Sequence, residues 1–305
     1  MLLIVVHHIY QFTASRYGVI YPLPIAILLQ NLGYLATAVF FLLSGYGFTF
    51  SLKKSEPIKA QYAVRQLLKL YKPFLFIWML DVLVNMLYLK QASCDELMTN
   101  VLTLSLTGGG SFWFLKEIVI IYILVLVVYT VFKRDSIRLE VIGGSVLLFI
   151  ILGGIYDIGN QWLNSIICFP IGMICFHQKQ KLNKLTIKID ILLILIFIVS
   201  FTSIYLVGAL LKEPVNPQHL QLLCQIICAT VFSILCVRLV SIANVKTEIL
   251  RYLGSNSLSI YLYHVYFLSL YLFLSSIFIY IVAVFFSSFM LLVIFDKIAP
   301  ASKKV

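Results

Sequence analysis

Apolar residues run through this chain in long blocks separated by short polar stretches. Ten such blocks are read: Met1–Thr13, Gly33–Leu52, Pro73–Leu89, Ile118–Phe132, Val141–Ile155, Trp162–Phe176, Ile189–Leu211, Leu220–Val240, Leu258–Ser275 and Ser276–Phe295. A perpendicular helix needs roughly 20 apolar residues to cross a bilayer, and several blocks are shorter. The last two are nearly continuous, so a tight turn is expected near Ser275 and Ser276. Between blocks two and three, "QYAVRQLLKLYKPF" alternates basic and apolar positions. Arg65 and Lys69 share a helical face, Lys72 lies close by, and Leu67, Leu68 and Leu70 supply apolar surface. This predicts an amphipathic helix at the headgroup level.

Composition agrees with this pattern. Of 305 residues, 62% are hydrophobic and 11% charged, where a soluble domain carries about a quarter charged. No stretch reads as a soluble domain or a long linker. The expectation is one all-α membrane domain over residues 1–305, with about ten transmembrane helices. The net charge is +11, and its placement excludes nucleic acid as the partner, because the charges sit between the apolar blocks. With the N-terminus inside, only Arg16, Lys90, Lys116 and Lys212 of the 23 basic residues fall in outside segments. Every inside loop is then richer in Lys and Arg than its outside neighbours, which predicts cytoplasmic N- and C-termini. Five of the six cysteines lie in apolar blocks, with Cys94 in a loop, and no CxxC pair or disulfide framework is present. The N-terminal block lacks the charged region and cleavage site of a signal peptide. No internal repeat is visible, which weighs against a transporter built from two related halves.

Ionisable groups inside a membrane are expensive and carry a functional presumption. His7 and His8 are adjacent, so they point about 100° apart and cannot both face one site. The competing reading is a pair of interfacial histidines satisfied by water. Asp81 sits mid-block with Asn85 on the same face. It could orient a catalytic histidine, or form a structural hydrogen bond between helices. His264 lies two turns into the ninth block, with Tyr261 and Ser257 on roughly the same face; a helix-packing histidine is the plainer reading. For Arg65, Lys69 and Lys72 the choice is between anionic lipid and the phosphates of a ligand. Ser44 in "FFLLSGYG" is no nucleophile elbow, because Leu42 stands where the first glycine belongs. Gly45 and Gly47 are expected to let helices approach. Gly108-Gly109-Gly110 follows no strand and reads as a flexible or re-entrant outside loop, not a nucleotide fingerprint.

Taken in order, several segments resemble acyltransferase family 3, over nearly the whole chain. "VVHHIY" matches the membrane histidine of its first span, and "FFLLSGYGF" its FF-x-LSG-[FY] motif. "RQLLKLYKPF" resembles R-x-LL-R-L-x-P-[YF], with Lys69 where arginine is usual. "FWFLKEIVIIY" resembles a Trp-[FY]-Leu segment, "FPIGMICF" a Phe-x-x-Gly segment, and "GSNSLSIYLYH" the closing S-[LM]-x-IY-x-x-H segment. The family's first span usually opens with a basic residue about three turns before its histidine. That residue would fall just upstream of Met1, which selects His8 over His7 and suggests a reading frame that starts earlier.

The resemblance implies an integral-membrane O-acyltransferase of the bacterial inner membrane. It would move an acetyl group from acetyl-CoA to a carbohydrate hydroxyl of an exopolysaccharide, an O-antigen or similar, with no metal. His8 would take the hydroxyl proton or first carry the acyl group; His7, His264 and Asp81 are the other catalytic candidates. Arg65, Lys69 and Lys72 would hold the cofactor's phosphates. Trp113, Ser44 and Tyr261 are the candidate substrate-binding residues. Membrane lipids are the expected surroundings, and the oligomeric state is left open. Two other functions fit a chain of this kind: a carrier or flippase for lipid-linked saccharide, and an acyltransferase-like sensor without activity.

Overall fold

The computed structural model describes residues 2–54, 60–84, 94–105, 112–179, 182, 186–210, 217–243, 248–268 and 274–298. Among the described residues the regular structure is helical. In chain order the helices are α1 (Leu2–Tyr17), α2 (Leu23–Lys54), α3 (Ala60–Val84), α4 (Cys94–Leu102), α5 (Trp113–Val131) and α6 (Asp135–Ile155). They are followed by α7 (Cys168–His177), α8 (Ile187–Leu210), α9 (Pro217–Ala243), α10 (Glu248–Ser255), α11 (Ser257–Phe267) and α12 (Ile277–Ile298).

Six of these are long and apolar enough to cross a membrane: α2, α5, α6, α8, α9 and α12. Apolar side chains cover their outer faces. In α8 only 11% of the most apolar stretch is buried, and Ile191, Leu192, Leu195 and Val199 are exposed. Such a surface is stable in lipid, where backbone groups must be satisfied internally and helices do this. The other apolar blocks give shorter or more polar helices. α1 has 16 residues, α7 has 10 and α11 has 11.

The helices depart from the sequence reading in instructive places. α2 begins at Leu23, ten residues before the expected block, and its 32 residues are about 48 Å long. The amphipathic segment and the third apolar block form one helix, α3, through Pro73. Proline donates no backbone hydrogen bond, so α3 runs through Pro73 with one intrahelical donor fewer. Cys94 opens a helix, α4, rather than lying in a loop. α5 begins at Trp113, so Lys116 and Glu117 stand inside a helix and not in the loop before it. The sixth block is broken. A 3-10 turn at Asn160–Trp162 and irregular backbone at 163–167 precede α7. Leu163, Asn164 and Ser165 are buried there, and the Ser165 hydroxyl donates to the Tyr34 carbonyl at 3.2 Å. Non-helical backbone at membrane depth is tolerated when protein covers it in this way. Residues 274–276 are non-helical and lead into α12, consistent with a turn at Ser275 and Ser276. Asn85 and the glycine run at 108–110 lie outside the described residues.

The chain divides into two compact units, each assembled from separated segments. The first holds Met1–Gly33, Val64–Val119 and Lys246–Val305; the second holds Tyr34–Ala63 and Ile120–Val245.

In the second unit, α8 and α9 form the most extensive helix pair. Arg238 of α9 makes a two-pronged bond to Asp190 of α8, at 2.9 and 2.7 Å, and donates to the Leu182 carbonyl at 2.8 Å. The planar guanidinium suits this two-pronged geometry. Arg138 of α6 does a similar job at the end of α5. It donates to the Phe132 carbonyl at 2.7 Å and the Tyr129 carbonyl at 3.3 Å, two acceptors a helix C-terminus leaves open. The crossing of α2 with α7 rests on glycine. A Cβ on Gly45 would lie 2.0 Å from the Phe169 carbonyl oxygen, and one on Gly172 would lie 2.0 Å from the Leu42 carbonyl oxygen. Gly47 has open space around it, so only Gly45 of the expected pair serves helix approach.

In the first unit, α1 packs on α11 and α12, and α11 packs on α12. Tyr17 at the end of α1 donates to the Leu274 carbonyl, and its ring lies 5.5 Å from that of Tyr280. These ties hold α1 against the C-terminal helices and so fix the position of its two histidines.

Candidate active site

α1 presents its adjacent histidines to different neighbours, as the helical geometry requires. His7 turns to α2: its Nδ1 is 2.8 Å from the Leu29 carbonyl, and its ring fills the space where a Cβ on Gly33 would stand, 2.6 Å away. Leu29 and Gly33 are one turn apart, so carbonyl and glycine form a seat for that ring. His8 turns to α11. Its Nδ1 lies 2.9 Å from His264 Nε2, and the two rings stack at 5.1 Å with an interplanar angle of 18°. The partners are 256 positions apart in the chain.

Hydrogen-bond accounting assigns the protons. His264 is fully buried, and its Nδ1 is 3.1 Å from the Ile260 carbonyl, one turn back on α11. A carbonyl only accepts, so His264 Nδ1 carries the hydrogen. In a neutral ring Nε2 then holds a lone pair. That lone pair accepts from His8 Nδ1–H, which leaves the free lone pair of His8 on Nε2. The arrangement gives a base at His8 Nε2, fixed in tautomer and orientation by a second ring, as a carboxylate does in a hydrolase triad.

Aromatic side chains pack on the His264 side of the pair. Tyr261 is buried, with its ring 5.7 Å from that of His264. Phe112 and Phe114 meet Tyr261 edge-on at 6.2 and 5.5 Å. Phe74 of α3 lies 6.0 Å from Phe112. Four separated stretches thus converge: α1, α3, the start of α5 and α11.

The remaining candidates are distributed as follows. Trp113 is half-buried at the first turn of α5, with its ring 6.1 Å from that of Phe114. Asp81 is buried on α3 and close enough to Tyr266 to act on it electrostatically. Arg65, Lys69 and Lys72 are exposed on α3, at positions that share one helical face. Ser44 belongs to the second unit, where it is half-buried on α2 beside Gly45. Among the described residues no three His, Cys, Asp or Glu side chains converge as metal ligands would.

A family model described as an acyltransferase domain matches residues 1–296. The chain belongs to acyltransferase family 3. Neither a curated protein nor a solved structure matches it. Membership implies acyl transfer by a multi-pass membrane protein, and the match includes both members of the histidine pair.

One buried acid of this acyltransferase was missed in the sequence. Glu117 is 3% exposed, on the second turn of α5. Setting the start of the fourth block at Ile118 put it in the preceding loop. The signal was available: an acid three residues after Phe114 in an apolar run is an intramembrane ionisable group.

Proposed function

We propose that this protein is an integral-membrane O-acetyltransferase. It moves an acetyl group from acetyl-CoA to a hydroxyl of a cell-surface carbohydrate, such as an exopolysaccharide or an O-antigen. The observation that carries this reading is the 2.9 Å bond between His8 Nδ1 and His264 Nε2. A sugar hydroxyl is a poor nucleophile near neutral pH, and a positioned base is what it lacks.

His8 Nε2 takes the proton as the hydroxyl oxygen attacks the thioester carbonyl. The resulting imidazolium donates through Nδ1 to His264 Nε2, which stabilises the charge and holds the ring. As the tetrahedral intermediate collapses, the carbon–sulfur bond breaks and His8 returns its proton to the leaving thiolate. The products are the acetyl ester and free coenzyme A, and the histidines end as they began.

The donor is polyanionic, and the exposed face of Arg65, Lys69 and Lys72 suits its phosphates. Trp113 offers an indole ring on which a sugar face can stack. The proposed topology is ten crossings of the bacterial inner membrane, with both termini cytoplasmic. The Lys and Arg bias of the loops supports it, and it puts the basic face of α3 on the side where acetyl-CoA is found.

The test is transfer from radiolabelled acetyl-CoA in membranes of expressing cells. Label reaching an envelope glycan with wild-type protein, and falling by about 10²-fold or more in His8→Ala, supports the reading. Equal label with both proteins removes His8 from the mechanism. No label with correctly inserted wild-type protein favours a carrier or a sensor instead.

A further inference from the structure

Glu117 is a buried acid that the mechanism above does not use. Both of its carboxyl oxygens are buried and lack a hydrogen-bond partner among the described residues. Such a group is costly to keep: an unsatisfied buried polar atom destabilises the fold by about 1–3 kcal/mol, and a charged one by more. An apolar residue of similar size would serve packing better. What surrounds Glu117 is also specific. Phe114, one turn earlier on the same face of α5, meets the Tyr261 ring at 5.5 Å. Glu117 itself is close enough to Tyr261 to act on it electrostatically. Tyr261 in turn touches the His264 ring. The unpartnered carboxyl is therefore one side chain removed from the histidine pair.

We propose that Glu117 is a substrate-binding residue that hydrogen-bonds a second hydroxyl of the polyhydroxylated acceptor and so selects which hydroxyl reaches His8. This rests on the acetyltransferase reading above. A sugar has apolar C–H faces and hydroxyl edges. A carboxyl that accepts hydrogen bonds matches the hydroxyl edges. A cation fits less well, because a divalent ion takes six or more oxygen ligands and no such cluster exists among the described residues. Anchoring two hydroxyls at once fixes the sugar ring, and so aligns the one that attacks.

The test compares wild type, E117Q and E117L in the full chain, with three readouts. These are the melting midpoint in detergent, the acetyl-CoA dissociation constant, and transfer of label from acetyl-CoA to host envelope glycan at saturating donor. E117L is expected to melt at the wild-type temperature or higher and to bind acetyl-CoA within about twofold of wild type. Its transfer is expected to fall by about tenfold, the effect of losing one buried hydrogen bond. E117Q, which keeps an acceptor oxygen, is expected to fall between the two. A lower melting midpoint in E117L would make Glu117 a structural residue and overturn the assignment. Transfer at the wild-type level, or a loss confined to acetyl-CoA affinity, would also overturn it. Wild-type membranes that transfer no label overturn the acetyltransferase reading, and this assignment with it. Undiminished transfer by E117L beside active wild type overturns the assignment alone.

Discussion

The crossing of α2 with α7 and the meeting of α1 with α11 are built on different physics. At the first, Gly45 and Gly172 bring two backbones so close that a single methyl on either would strike a carbonyl of the other helix. The gain is dispersion contact between helices that lipid cannot drive together by hydrophobicity. At the second, two imidazoles take the place of that close contact. Three of their four ring nitrogens are committed to fixed partners, and one lone pair, on His8 Nε2, stays available. Glu117 adds an acid with no partner among the described residues. The glycine crossing is optimised for stability. The histidine region holds a buried carboxyl at a cost to stability, as a site kept for the proposed chemistry would.

Substitutions can break this contrast from either side. The largest effect is expected at His8. His8→Ala should lower acetyl transfer by about 10²–10⁴-fold, the range for losing a general base, while the melting midpoint in detergent stays close to wild type. Next is Gly172→Ala, whose Cβ would collide with the Leu42 carbonyl. It should destabilise by about 1–3 kcal/mol, read as a lowered melting midpoint. Gly47→Ala is its control. With nothing near its Cβ, it should be neutral or stabilising by about 0.5–1 kcal/mol from helix propensity. The smallest effect is expected on the exposed face of α3. Arg65→Ala with Lys69→Ala should raise the KM for acetyl-CoA by about tenfold and leave the melting midpoint unchanged. An unchanged KM would assign that face to anionic lipid instead.

The contrast also explains which parts of this structure could be read from residue order. Helix periodicity alone splits His7 from His8, and the structure sends one ring to Leu29 and the other to His264. Gly45 was legible as a close-approach residue from its place in an apolar run. Its counterpart Gly172 was not, because nothing local says which helix will cross which. The same holds for Asp190 with Arg238, a pair 48 positions apart, and for His8 with His264. Long-range pairing is decided by packing, and one sequence carries no direct trace of it. Helix starts failed for another reason. Lys116 and Glu117 interrupt an apolar run for only two residues, so the apolar pattern places the boundary at Ile118 although the backbone is helical from Trp113. Polar residues are tolerated in a helix when they are buried by protein, and hydropathy cannot report that. The break at 163–167 was hidden in the opposite way, by apolar residues that looked helical and instead form buried irregular backbone.

The central claim is that His8 and His264 act as a unit, and a double-mutant cycle on acetyl transfer tests it most directly. His8→Ala, His264→Ala and the double variant would be compared with wild type in the same membranes. If His264 works by holding and stabilising His8, the double variant should transfer no less label than His8→Ala alone, because the second loss has nothing left to act on. Losses that multiply, with the double variant falling by the product of the two single effects, would mean that the histidines act independently and would contradict the account.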